Sequence, residues 1–259
     1  MKKDQHVKTS MADGANSCME TYIRNAGIRN VDEITVVDEF NPQDPEPLNV
    51  HDYYYEYLRF RINQLTTINV GLEVVLSEES KKDITEAVSK YNFDLVVGST
   101  DPTPMSATCE DAYQEYLENV LENIRIYKDE IDVISSQIDM ISTATNNPNI
   151  DLKPYQNIID EILKTLIENN IGIEVNSSTF EDSGLINNPS IQILKRYREL
   201  GGNIITIGSY ACSVDDLSLY FEHVYKVLEN LGFQAISQFH KHKPEQIEIK
   251  RFRRAVWKE

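Results

Sequence analysis

Two acids stand inside otherwise apolar runs: Glu73 in INVGLEVVL (68–76) and Glu174 in IGIEVNSS (171–178). A carboxylate is costly to bury unless a cation, a metal ion or hydrogen-bond donors meet it, so each requires a partner. Candidates lie at the ends of similar runs. The opening DQHVKTS offers His6 and Lys8, EITVVDEF (33–40) ends in Asp38-Glu39, and FDLVVGST (93–100) runs into Asp101. IDVISSQID (131–139) carries Gln137 and Asp139, IGIEVNSS adds Asn176, and NIITIGSY (203–210) delivers Tyr210 with Cys212 two residues on. Carboxylates grouped with a histidine suit a hard or borderline divalent ion. Lys8 is an alternative counter-charge for Glu73 if the first strand lies beside it. Cys212, with Tyr210 beside it and His6 across the site, has the makings of a thiol nucleophile; the alternative is a small buried side chain. His51, His223, His240 and His242 fall on loops, a helix or the tail, which counts against a zinc site built on imidazole.

The elements that must position these residues alternate. Strand-like runs at 33–40, 68–76, 93–100, 131–139, 171–178, 203–210 and 233–239 are near-continuously apolar, the pattern of strands covered on both faces. Amphipathic stretches separate them. In YQNIIDEILKTLIENN, Ile158, Ile159, Ile162, Leu163 and Leu166 line one helical face. SEESKKDITEAVSKYN opens at Ser77 with acids behind it, an N-terminal cap pattern, and NPSIQILKRYRELGG stops at Gly201-Gly202. Strand and helix alternating at this spacing predict a parallel sheet with crossover helices, closed as a barrel, with residues 1–259 as one domain. NPQDPEPLN (41–49) and TATNNPN (143–149) then lie where barrel active-site loops lie.

The chain has 259 residues and a formal net charge of -17, which repels phosphate backbones and anionic lipid surfaces; nucleic acid and membranes are excluded as partners. The start lacks the apolar run of a signal peptide, and three cysteines without CxxC spacing fit a reducing, cytoplasmic setting. The exception to the acidity is the basic stretch at about 245–259, read either as a solvated tail or as an anion site able to close over the mouth.

Three stretches, FDLVVGS, IIDEILKTLIENNIGIEVNSS and PSIQILKRYRELGGNIITIGSYA, with the weaker DQHVKTS, GLE (71–73) and FHKHKP (239–244), resemble the PHP (polymerase and histidinol phosphatase) superfamily, in its histidinol-phosphatase branch. The resemblance spans nearly the whole chain. It implies an α/β fold, a distorted (β/α)7 barrel similar to a TIM barrel, and a phosphoesterase holding up to three divalent ions at its mouth. The residues at the family's ligand positions depart from that pattern. His-x-His is His6 and Lys8; Asp-His is Asp38-Glu39; the family Glu is Glu73. Histidines become Asp101 and Gln137, and Gly-Ser-Asp-Ala-His becomes Gly208-Ser209-Tyr210-Ala211-Cys212.

Only His6, Asp38 and Glu73 therefore keep the metal-ligand type, and the resemblance leaves room for at most one divalent ion (Zn, Mn or Fe). The expectation is a histidinol-phosphatase-like pseudoenzyme without three-metal hydrolysis. It would bind a small polar or phosphorylated metabolite through Lys8, Glu39, Asp101, Gln137, Glu174 and Asn176. Two alternatives stay open. One is an active enzyme with an altered site, a mononuclear phosphoesterase or another small-metabolite hydrolase or lyase, with Lys8, Tyr210 and Cys212 as catalytic candidates. The other is a regulatory or scaffold protein with a protein partner.

Overall fold

The structure is a computed structural model that describes residues 2–11, 14–62, 65–101, 110–135, 138, 151–180 and 188–250. Seven parallel strands pair in chain order: β1 (Lys2–Val7), β2 (Val31–Phe40), β3 (Thr67–Val75), β4 (Leu95–Ser99), β5 (Val133–Ile134), β6 (Gly172–Asn176) and β7 (Ile205–Gly208). Helices follow them as crossovers: α1 (Met19–Ala26), α2 (Val50–Phe60), α3 (Lys81–Lys90), α4 (Glu110–Tyr127), α5 (Gln156–Glu168), α6 (Ile191–Glu199) and α7 (Phe221–Asn230). This is the distorted (β/α)7 barrel expected of the sequence. Strand-face alternation makes two packing layers. Val36, Val70, Leu72 and Val96 pack outward under the helices, while Val37, Leu95, Val97 and Val133 form a separate inner cluster. Ile159, Ile162, Leu163 and Leu166 form the buried face of α5, as their spacing predicts, while Ile158 of the same set sits at its edge and is only partly buried. Ser77 does not cap α3, which starts four residues later; Ser77 Oγ instead accepts the Ser80 N–H at 3.2 Å in the turn before it.

The barrel closes between β7 and β1 by a short seam. Tyr210 N donates to His6 O at 2.8 Å and Lys8 N to Ala211 O at 3.0 Å. A Cβ on Gly208 would overlap His6 Cβ and approach Glu174 Oε1, so only glycine lets β7 pass β1 this closely. Buried Asp4 pins the loop after β7 by accepting from Ser209 N at 2.9 Å and Ser218 N at 2.8 Å.

Two expectations are corrected here. The run at 233–239 is no barrel strand: β8 (Ala235–His240) pairs antiparallel with β9 (Lys243–Glu248) in a hairpin. The first part of the basic stretch is thus β9 and not a loose tail, and it lies far from the mouth; residues 251–259 fall outside the described residues. Phe239 packs into the inner cluster, and His242 reaches Asp132 and Asp94 at the strand starts, so the hairpin plugs the N-terminal end of the barrel. Its turn, Lys241-His242, has positive φ at both residues (50° and 63°), strain that Asp94 offsets by accepting both backbone N–H groups. No helix among the described residues is long and apolar enough to cross a membrane.

Replacing Gly208 by Ala should cost about 3 kcal/mol through overpacking against His6, read as a lower urea midpoint. The hydrogen bond to Asp132 holds His242 above its ordinary value. Its contribution is complete below the unfolded value of 6.5 and is lost as pH rises through the raised folded value. Hydrogen exchange of the β8–β9 amides, corrected for intrinsic rates, should therefore quicken over that range, and His242→Leu should flatten the dependence.

Candidate functional site

The seam places His6 at the centre of the barrel, fully buried. Its Nδ1 lies 2.8 Å from Glu174 Oε2, and its Nε2 lies 3.5 Å from Glu73 Oε2 without a hydrogen-bond partner. Tyr210 covers the imidazole, ring centroids 3.8 Å apart and planes 18° from parallel, and its hydroxyl donates to Glu174 Oε2 at 2.7 Å. The turn that permits this stack holds Tyr210 in the left-handed region at φ 53°, an uncommon conformation for a bulky residue. Burial, the largest single effect, disfavours the imidazolium. Glu174 and then Glu73 outweigh it, with Lys8 opposing, and His6 is held above its ordinary value. Burial pushes the Tyr210 hydroxyl up, and Glu174 and Glu73 push it further.

The acids expected to need partners have found them, though one partner is not the expected one. Lys8 makes no ion pair among the described residues; its Nζ lies 5.8 Å from the centre of the Tyr210 ring. The place beside Glu73 is filled by the His6 ring, and Glu73 Oε1 accepts from Ser135 Oγ at 3.0 Å. Asp38 is engaged on both oxygens by Thr9, through the backbone N–H at 2.7 Å and the hydroxyl. Burial pushes Asp38 up to about 6 against the pull of those donors. Thr9 and Ser135 escaped the sequence reading, although each sits just past a strand end, where the barrel rule directs attention.

Above this buried layer opens a cavity of about 500 Å³, lined in part by Glu39, Asp44, Glu73, Asp101, Asn176 and Tyr210. A second, of about 440 Å³, shares Glu39 and Asp44 and adds Lys8 and Glu46. Desolvation, then Glu73, raise Glu39 above the usual carboxylate range. Most of the residues singled out in the sequence thus converge here: Lys8, Glu39, Asp101, Asn176 and Tyr210 line the two cavities, with His6, Glu73 and Glu174 at their floor. Cys212 lines neither; its thiol is half-buried and donates to Tyr210 O at 3.6 Å. Gln137 and Asp139 lie outside the described residues. Among the described residues no group of three or more His, Cys, Asp and Glu side chains converges as metal ligands would.

The family model of the PHP domain matches residues 4–178. The chain belongs to the PHP domain family. Among PHP-related proteins, it is 29% identical over 249 residues to one from Clostridium acetobutylicum named "Probable histidinol-phosphatase", covering 90% of this chain and 95% of that one. A protein of the same name from Thermotoga maritima is 20% identical over 240 residues, covering 90% and 94%. The crystal structure of histidinol phosphate phosphatase from Lactococcus lactis subsp. lactis, complexed with zinc, L-histidinol and phosphate, superposes with a TM-score of 0.78 at 19% identity, covering 94% of this chain and 98% of that chain. That likeness is one of fold, and this PHP chain is histidinol-phosphatase-like at that level.

Tyr210→Phe should leave Glu174 with one donor fewer in a buried site, lowering stability by about 1–2 kcal/mol with an unchanged denaturant slope. A urea titration of both proteins checks it.

Proposed function

We propose that this PHP barrel binds a small polar metabolite at its mouth and does not carry out three-metal phosphomonoester hydrolysis. The observation that carries this reading is Tyr210. Its ring lies on His6, and its hydroxyl shares Glu174 Oε2 with the imidazole, where the family resemblance expects a carboxylate ligand. Asp38 spends both oxygens on Thr9, and Glu73 spends one on Ser135. These three oxygens are taken by protein donors and not offered to a cluster of ions, which supports a site that does not hold three. Lys8 is the cation that a phosphoryl group on the metabolite would meet.

One feature favours a second reading, a single-ion phosphoesterase. His6 Nε2 is buried without a hydrogen bond and faces Glu73 Oε2, while Glu174 orients Nδ1, as a carboxylate orients a metal-bound histidine. His6 and Glu73 would hold the ion, which would supply Lewis acidity toward a phosphoryl oxygen. The homology to proteins named probable histidinol-phosphatase, along nearly the full chain, points the same way.

Metal content and turnover decide between them. Protein purified without chelator should hold far less than one Zn, Mn or Fe per chain and should not hydrolyse histidinol phosphate or a generic phosphomonoester. One tightly held ion per chain, with turnover that Glu73→Gln abolishes, would establish the second reading instead.

A further inference from the structure

Exposed apolar side chains scattered singly over a surface need no explanation, but in this chain they gather. Five large hydrophobic residues are exposed among the described residues. Four of them, Ile28 (76% exposed), Tyr55 (53%), Ile62 (84%) and Leu65 (65%), belong to α2 or to the short segments leading from α1 and α2 into β2 and β3. β2 and β3 pair in parallel and α1 packs beside α2, so all four lie on one side of the barrel wall. Along α2, His51, Tyr55 and Ile62 recur at helical spacing, and the His51 ring packs on Tyr55 with centroids 4.4 Å apart.

The two ends of that stripe have complementary shapes. At the end away from the mouth, Ile62 and Leu65 stand exposed as knobs. At the mouth end, a groove of about 430 Å³ opens between α2 and α3, lined in part by Phe40, Pro47, Leu48, Val50 and Tyr91, with His51 where it meets the stripe. Roughly 16 Å separates the two, at about 1.5 Å of helix per residue from His51 to Ile62.

Charge follows the same polarity. The chain carries -17 overall, yet residues 19–30 and 50–62 hold four arginines against three acids, so two copies can meet on this face without strong repulsion. Glu20 and Asp52 lie in the first turns of α1 and α2, and Arg24 and Arg59 in the last, the order that the helix dipoles favour. Arg61, beside Ile62, is exposed, and the α3 wall of the groove carries Asp83 and Glu86. A face with knobs and cations at one end and a groove and anions at the other is complementary to itself when turned end for end. That is the condition for an isologous two-fold contact.

We infer that two copies of this chain pair through the α1–α2 face about a two-fold axis passing near Tyr55. Their helices run antiparallel, and Ile62 of each copy is seated in the α2–α3 groove of the other. The contact is on the outer wall of the barrel and holds whatever the mouth binds.

Sedimentation velocity of the full chain tests it. The chain should run as a dimer, and Ile62→Glu should raise the dissociation constant at least ten-fold. Leu219→Glu, the same change at the exposed hydrophobic outside this face, should leave it unchanged. Ile62 is so exposed that the substitution removes little packing within one copy, and an unchanged far-UV circular dichroism spectrum confirms the fold. At a concentration where the wild type is dimeric, the backbone amides of 48–51 and 86–91 should exchange faster in Ile62→Glu, because their groove is then open. A monomer at about 100 µM, an open series of larger species (the mark of a head-to-tail contact), a dimer indifferent to Ile62→Glu, or groove amides with unchanged exchange would overturn the inference.

Discussion

The approach of β7 to β1 across Gly208 is the constraint on which the rest of the mouth depends. With no side chain at that position, the two strands come close enough for Tyr210 N to reach His6 O, and the His6 ring is driven to the axis of the barrel. An imidazole at that depth has little water to solvate it, so its nitrogens are left to the carboxylates of β3 and β6. Glu174 takes Nδ1 and the Tyr210 hydroxyl on one oxygen, which ties the stacked rings of β1 and of the turn after β7 to β6. The left-handed backbone of Tyr210 belongs to this arrangement: the strained turn is held because both ends of the side chain's position are determined, by the seam and by Glu174.

Below that stack the interior is apolar, and above it the barrel is acidic. Val37, Leu95, Val97 and Val133 fill the lower interior, and Phe239 of the hairpin completes the plug from outside the sheet. Charged groups sit one layer higher, where cross-strand neighbours such as Glu39 and Glu73 are in register. A barrel of seven strands with so short a seam needs an additional element at its lower end. The hairpin supplies it, reaching Gln5 through Ser237 O and Phe239 N and so bridging the gap between β7 and β1. The PHP scaffold is therefore kept by packing, while the chemistry at its mouth is free to differ between members of the family.

Much of this was legible in the sequence. Six of the seven apolar runs, with amphipathic stretches between them, become β2 to β7 in chain order, and acids inside apolar runs point directly to Glu73 and Glu174. Two readings went astray for identifiable reasons. Residues 233–239 have the composition of a buried strand, and burial against the barrel floor produces that composition as readily as membership of the sheet. Lys8 looked like the partner of Glu73 because opposite charge was the one criterion available; the ring two residues earlier occupies that space, since the Gly208 contact holds His6 within β1, its ring against Glu73 of β3, whereas β1 ends at Val7, before Lys8.

Residue types and their order by themselves determined the barrel class and the set of strand ends at which chemistry gathers. Those properties follow from local periodicity and from counting, and neither depends on distances. Tertiary structure alone decided which side chain neutralises which. His6 rather than Lys8 meets Glu73, the Tyr210 ring lies against His6, and Thr9 satisfies Asp38. The physical reason is that pairing energies depend on separations of a few ångströms, and those separations are set by how far one glycine lets two strands approach.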